Sequence, residues 1–494
     1  MTKRAYIAVL LALLFPLCTW ANNLQLTHLG LQDRDALTIT ISWDNAWNLT
    51  NQAPNNHDAV WLFVKVKEDG EWKTAVLSNV DGDSEALEAG RVRTKAVSDG
   101  MGLIVRPGFE GAGNVEATEL RLALDAPLGE GVTEVLVFGI EMVWVNEGPF
   151  WLGDGSSENT LRPAGASGPY YVGDDGEIPV GANAGELDST DTYAPKRDIP
   201  ANWPEGYNGF YCMKYEISQG QYVDFLNTLT ADQQSNRTVC GPSAAPNTHA
   251  LTTGPSFRNG IRVFTSGTST TPAVFACDGN EDGQFDGPAD GENRACNFLN
   301  WDDLLSYLCW SGLSPMTEFE FEKVCRGPEM PVALEFAWGT DAVEDANTVL
   351  LDGEAGEAVA ESPVAPMGLA SHGYSGPQGP LRCGFGGRAT STRLSAGAGY
   401  YGVMELSGNL WEMCMAANWD GIAFTGSNGI GILALDGKWI AGDWTWEYGG
   451  IYRGGGWNSG ILPGFRDLAV SDRFYAGQAP GNRRNTVGGR GVRR

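Results

Sequence analysis

The chain has 494 residues, with 61 acidic side chains against 33 basic ones and a formal net charge of -28. So large an acidic excess argues against nucleic acid or an anionic membrane as the main partner. The length allows two or three domains and a sizeable core. At the start, Lys3 and Arg4 precede an apolar run, Ala5 to Leu17, and then Thr19-Trp20-Ala21. This reads as an export signal over residues 1–21, cleaved near Asn22. Phe15-Pro16-Leu17 before Cys18 lacks the small residue that a lipid-anchored leader requires. No second long apolar run follows, so the mature chain is expected to be secreted or held at the cell surface without a transmembrane segment. Eight of the nine cysteines lie beyond the leader. That even count suggests disulfides in an exported chain, and Cys277 and Cys296 bracket a loop they could clamp. No C-x-x-C occurs, which argues against a zinc ribbon or a dithiol redox site.

Residues 22–138 read as a β-sandwich. Ala36 to Trp43 alternates apolar and polar residues with many β-branched side chains, as a half-buried strand should. Ala59 to Val66 is a second, more buried run. Asp69-Gly70 then turns the chain into Trp72 to Leu77, a hairpin signal. Further strands are expected at Gly102–Arg106, Glu119–Leu124 and Thr133–Phe138. Trp43, Trp47, Trp61 and Trp72 invite a carbohydrate-platform reading, but Trp43 and Trp61 lie within strand patterns and fit core packing better. Asn23 to Thr27 could be a first strand that completes a neighbouring chain's sheet.

From residue 139 onward the chain changes character. Glu141 to Val145 leads into Gly148-Pro149-Phe150-Trp151-Leu152-Gly153, and a Gly/Pro/Asp-rich loop follows to about Pro204. Phe210 to Ser218 reads as a strand, and Gln219 to Leu229 as a helix with Ser218 as N-cap. Trp301 to Trp310 places Leu304, Leu305 and Leu308 on one side of a helix. Thr317 begins another, with Glu320 three residues on, a capping box. Then come Ala337-Trp338-Gly339, Gly408-Asn409-Leu410-Trp411-Glu412, Arg453-Gly454-Gly455-Gly456-Trp457 and Asn485 to Arg490.

This ordered series resembles the formylglycine-generating (sulfatase-modifying factor) family, a variant of the C-type lectin-like fold. The resemblance covers 139–494, with extra loops at 154–204, 233–296 and 352–398. It implies an α+β fold with little regular secondary structure. Its oxidase members bind copper through two cysteines just after the R-G-G-S-W motif. Ser459 and Gly464 stand at those positions here, so the resemblance implies that copper and its oxidation chemistry are lost. It also implies a structural calcium site from the Glu405 side chain, the Gly408 and Leu410 carbonyls and the Glu412 carboxylate. Asn347 resembles part of a second calcium site in the family. No catalytic residue is expected. The four histidines are scattered, and no G-x-S-x-G or Walker loop occurs.

A further cation site is read from the residues themselves. Cys277 is followed by D-x-N-x-D-G-x-x-D, in which Asp278, Asn280, Asp282, the Gln284 carbonyl and Asp286 can converge on one hard ion while Gly283 makes the turn. The EF-hand's closing position falls on Ala289, and Asp290 or Glu292 could take that role. The competing reading is a solvated acidic turn. The segment after Gly450 carries eight arginines and two acids, which serve either buried ion pairs or an anion-binding face. The loop from Ser459 to Arg484 is the expected recognition face, with Ser459, Arg466, Arg473, Tyr475 and Arg483 as its ligand-binding residues. The reading is an exported, non-catalytic protein that binds an extracellular protein or glycan, or self-assembles into a surface structure or fibre. The alternative is an oxidoreductase of the formylglycine-generating type that uses non-standard metal ligands, Cys383 and Cys414 among them.

Overall fold

The computed structural model describes residues 5–8, 23–374, 376–388, 390–440, 449–460, 466–476, 478 and 481–494. The leader expected over 1–21 falls outside them except for Ala5–Ala8, whose backbone pairs antiparallel with Glu134–Val137. The N-terminal strands are β1 (Gln25–Gln32), β2 (Ala36–Asn48), β3 (Asp58–Glu68), β4 (Glu71–Ala75), β5 (Glu85–Ala86), β6 (Val92–Ala96), β7 (Leu103–Pro107), β8 (Gly111–Ala123) and β9 (Val132–Val145). β1, β2, β8 and β5 form one four-stranded sheet in that order. Its inward residues Leu37, Ile39 and Ile41 meet Val60, Leu62 and Val64 of β3 and Val135 and Val137 of β9. The period-two pattern of β2 therefore faces a second sheet. β1 is used within this chain: Gln25 lies opposite Ser42 and Leu26 opposite Ile41, and Leu24 and Leu26 are buried. It completes its own sheet, not a neighbour's.

β3 and β9 are buried on both faces. Their other face presents Trp61, Phe63, Phe138 and Ile140 to the main core, beneath a helix at Trp301–Ser311. The Trp310 ring meets Phe63 and Phe138 edge-on, each at 5.0 Å. Trp61 Nε1 donates to the Ser311 carbonyl at 2.8 Å. Trp43 and Trp61 are thus core residues. Trp47 and Trp72 are half-buried, under the Lys214 and Lys67 ammonium groups at 4.3 and 5.6 Å.

The boundary drawn at 138/139 falls inside β9. Beyond it, Met142–Val145 pair with β10 (Phe210–Met213), and Val143 and Val145 join a third cluster with Phe321 and Val324. Beyond some short two-stranded pairings, the elements that frame the site are α1 (Gln219–Leu226), α2 (Ala231–Arg237), β11 (Ile261–Thr265), β12 (Val274–Cys277), α3 (Trp301–Ser311), β13 (Ser314–Pro315), α4 (Glu318–Arg326), β14 (Trp411–Met415), β15 (Gly450–Arg453), β16 (Val487–Gly488) and β17 (Gly491–Arg493). One sheet runs β13-β17-β10-β9-β3-β7-β6. The sandwich and the α+β unit are therefore built on a common sheet.

The capping boxes at Ser218 and Thr317 form. α2 lies in a segment expected to be loop, and it starts on a third box, Thr230 with Gln233. Residues 154–204 carry only short strands, yet Leu161, Ile178, Ile199 and Trp203 sink into the main core. All eight described cysteines are free, which corrects the disulfide expectation, including the Cys277–Cys296 clamp. Seven of them are buried, where a thiol packs as a small apolar group. Among the described residues, no helix is long and apolar enough to cross a membrane.

Because α3 packs on the shared sheet, both halves should unfold together. Trp310→Ala should cost about 3–5 kcal/mol and lower a single calorimetric transition. Two separate transitions, with only the second shifted, would contradict the shared-sheet arrangement.

Candidate functional site

The helix α4 carries Glu318, Glu320 and Glu322, and all three are buried. Buried carboxylates need charged partners, and the C-terminal arginines supply them. Glu318 accepts from Arg453 Nη1 and Arg473 Nε, each at 2.7 Å. Glu322 accepts from Arg453 Nη2 at 2.6 Å and Arg326 Nη1 at 3.0 Å. Glu320 accepts from Arg494 Nε at 2.8 Å. Burial pushes the Glu318 carboxyl up, but Arg473 and Arg453 outweigh it and hold it below its usual range. Arg490 Nε pairs with Glu412 at 2.5 Å. These pairs belong to the frame of the fold and form no anion-binding face.

This frame positions the small sheet β15-β14-β16, which floors a cavity of about 440 Å³. Trp411 of β14, Tyr452 of β15 and Val487 of β16 line it, with Tyr374, Asn458, Ser459, Asp467, Tyr475, Arg484 and Thr486 around them. Tyr475 stands edge-on to Trp411 at 4.9 Å. The Arg484 guanidinium lies 5.7 Å from the Tyr452 ring centre. Asn458 Nδ2 donates to the Tyr374 hydroxyl at 2.9 Å. Ser459 Oγ accepts from Gly456 N at 3.0 Å. Burial raises the Asp467 carboxyl above its usual range, partly offset by a hydrogen bond from Ser459. Among the described residues, the Tyr452 hydroxyl has no hydrogen-bond partner. Aromatic faces beside a cation, an acid and an amide suit a ligand with both apolar and polar faces.

Of the five expected ligand-binding residues, Ser459 and Tyr475 meet in this cavity. Arg473 does not. It is 1% exposed and locked on Glu318. Arg483 forks onto Asp303 at 2.7 and 2.8 Å. Arg466 makes an exposed pair with Asp341 at 3.3 Å. Gly464 and the rest of 461–465 lie outside the described residues, as do 477, 479 and 480. Trp411 lies in the G-N-x-W-E motif and Asp467 and Arg484 in the expected loop, but these three, with Tyr374, Asn458 and Tyr452, were given no ligand-binding role from sequence. They come from separate stretches, and nothing in their local spacing marks them.

The expected calcium ligands fall in three places. Glu405 and Glu412 are buried beside Glu216, which accepts from Leu410 N at 2.9 Å and Asn409 Nδ2 at 2.5 Å. Glu405 Oε1 accepts from Gly384 N at 3.0 Å. Glu405 Oε2 and Glu412 Oε2 are buried without a hydrogen-bond partner among the described residues. Gly408 has φ +88°, and a Cβ there would stand 2.5 Å from the Ser371 carbonyl oxygen. Asn347 is exposed. Beside it, Glu361 accepts from Thr348 N at 2.9 Å. The third place is the loop after β12, with Asp278, Asn280, Asp282, Gln284 and Asp286. There Asp282 accepts from Asn280 Nδ2 at 3.1 Å and from Gln284 N at 2.7 Å. Asp286 accepts from Cys277 N at 3.1 Å. Among the described residues, no three His, Cys, Asp or Glu side chains stand ready as a metal-binding group. The two orphaned carboxylate oxygens of Glu405 and Glu412 nonetheless suit a hard cation completed by backbone oxygens.

Cys383 and Cys414 lie in separate clusters, and burial pushes both thiols well above their ordinary range. Thiolate, not thiol, is the metal ligand.

Burial also raises the Glu405 carboxyl from 4.5 to about 7, with Arg490 and Arg382 opposing the shift. Its folded value exceeds its unfolded one, so the unfolded chain releases the proton first as pH rises. Glu405 should therefore take away stability between about pH 4.5 and 7, by roughly 3 kcal/mol in full. In chelator, Glu405→Gln should flatten the decline seen by denaturant melts in that window. An unaltered pH profile would contradict this assignment.

A family model described as "Sulfatase-modifying factor enzyme 1-like domain" matches residues 139–494. No curated protein matches the chain. The match spans the α+β unit with its arginine–glutamate frame and its cavity, and by it the chain belongs to the sulfatase-modifying factor enzyme 1-like family.

Proposed function

We propose that this chain is an exported, non-catalytic member of the family that binds a glycan or a protein group outside the cell through the cavity between Tyr374, Trp411, Tyr452 and Arg484. The observation that carries this reading is the composition of the cavity wall. Four aromatic rings, Asn458, Asp467 and Arg484 line it, together with Ser459 and without a thiol. Ser459 is the position at which the resemblance places one copper-binding cysteine, and Gly464 is the other. Sugars and peptide side chains offer an apolar face to an aromatic ring and hydrogen-bonding groups at its edge. Arg484 and Tyr374 are exposed, so a surface-bound ligand can reach them.

Calcium is structural in this proposal. Glu405 and Glu412, with the Gly408 and Leu410 carbonyls, would hold it, and its charge would offset the crowding of Glu216, Glu405 and Glu412. These residues fix the loop that leads into β14, which floors the cavity. The strongly acidic surface keeps an exported chain soluble.

The test is a binding screen of the purified full-length mature protein against immobilised glycans and extracellular matrix proteins. Tyr374→Ala and Arg484→Ala should weaken any wild-type hit at least tenfold while leaving the melting temperature unchanged. Wild-type binding that both variants retain would place recognition elsewhere. No hit with either class would count against the proposed ligand chemistry.

A further inference from the structure

We infer that the loop from Asp278 to Asp290 is a calcium site of its own, closed by Asp290 and separate from the Glu405–Glu412 region. Asp278 is 0% exposed and Asp290 1% exposed. Among the described residues, both carboxylate oxygens of Asp278 and Oδ1 of Asp290 lack a hydrogen-bond partner. Two neighbouring buried carboxylates with three orphaned oxygens are costly without a cation.

The nearby basic side chains hold other partners, although Arg262 Nε and His249 Nδ1 lack one among the described residues and Arg294 Nη1 lies beside Gly279 and Gly291. Arg262 gives Nη2 to Glu281 at 2.6 Å and Nη1 to the Asn247 side chain at 2.9 Å. Arg294 gives Nε to Glu357 at 2.9 Å and Nη2 to Asp352 at 2.5 Å. His249 faces Asp278 and Glu281, but burial, and then Arg262, keep its ring below the ordinary histidine range. A divalent ion is the missing partner.

The backbone is already wound for one. Asp290 Oδ2 accepts from Gly287 N at 2.5 Å, and its carbonyl accepts from Gly279 N at 3.1 Å. The last acid is thus folded back over the first. At Gly279 a Cβ would stand 2.5 Å from that carbonyl oxygen, so the loop closes only around glycine. Asp278, Asn280, Asp282, the Gln284 carbonyl and Asp290 supply an all-oxygen set of the size calcium takes. The acid that closes the set is one residue later than in an EF-hand. Asp282 now rests on Asn280 and Gln284 N, so binding requires its carboxylate to turn inward and orders the loop as it does so.

The experiment uses the full-length mature protein stripped with chelator and titrated with calcium chloride. Bound calcium is counted by equilibrium dialysis, and amide hydrogen exchange is followed across residues 278–290. Calcium should slow exchange there at least tenfold in the wild type. The Asp278→Asn/Asp290→Asn double variant should lose that protection and one bound ion, whereas Glu405→Gln should keep the protection. A wild-type loop whose exchange ignores calcium, or a double variant protected like the wild type, would overturn the inference. The wild-type readout does not depend on either variant folding, or on the ligand cavity.

Discussion

Ion pairs buried in an apolar interior are the constraint on which the rest of this molecule depends. A helix with the sequence E-F-E-F-E places glutamates and phenylalanines alternately, and here both sets are inside. Glu318, Glu320 and Glu322 enter the core only because Arg326 of the same helix, and Arg453, Arg473 and Arg494 from distant parts of the chain, pair with them. Removing one partner of such a pair typically costs about 3–5 kcal/mol, because the other charge stays behind unpaired. Arg453, Arg473 and Arg494 are therefore held to α4 by charge as well as by packing, and the turn at Arg453–Trp457 starts from the first of them. That turn presents Asn458 and Ser459 to the cavity, so the frame sets the cavity's geometry.

The second organising feature is β9. It carries alternate side chains into the sandwich core, the main core and the α4 cluster in turn. A strand buried on both faces cannot shift by one residue without moving every side chain to the wrong core. The N-terminal module is thereby fixed in register to the family domain, and α3 with Trp310 seals the contact.

Much of this was legible in the sequence where local physics decides the outcome. The alternation at Ala36–Trp43, the turn at Asp69-Gly70, the N-cap at Ser218 and the capping box at Thr317 each act over a few residues. They appear where the spacing placed them. The arginine-rich tail suggested buried pairs, but which acid each arginine takes depends on chain-distant packing. Hence Arg473 and Arg483 looked like surface ligands and are frame residues. α2, A-D-Q-Q-S-N-R, has almost no apolar periodicity, and its only signal was the Thr230–Gln233 box. The even cysteine count pointed to disulfides, yet the thiols serve as small core residues. The cavity was only half visible. Ser459, Tyr475 and Arg484 lie in the expected loop, while Tyr374 and Tyr452 reach it by folds in the chain that no short pattern encodes.

The proposed reading is that a binding cavity occupies the place where the resemblance puts the family's copper-binding cysteines. The most direct test is a copper titration of the full-length mature protein, with oxygen uptake measured in the presence of a thiol peptide. It predicts no stoichiometric copper binding and no oxygen uptake above that of a buffer control. One tightly bound copper per chain with thiol-dependent oxygen consumption would contradict it and identify the protein as an oxidase with a different ligand set.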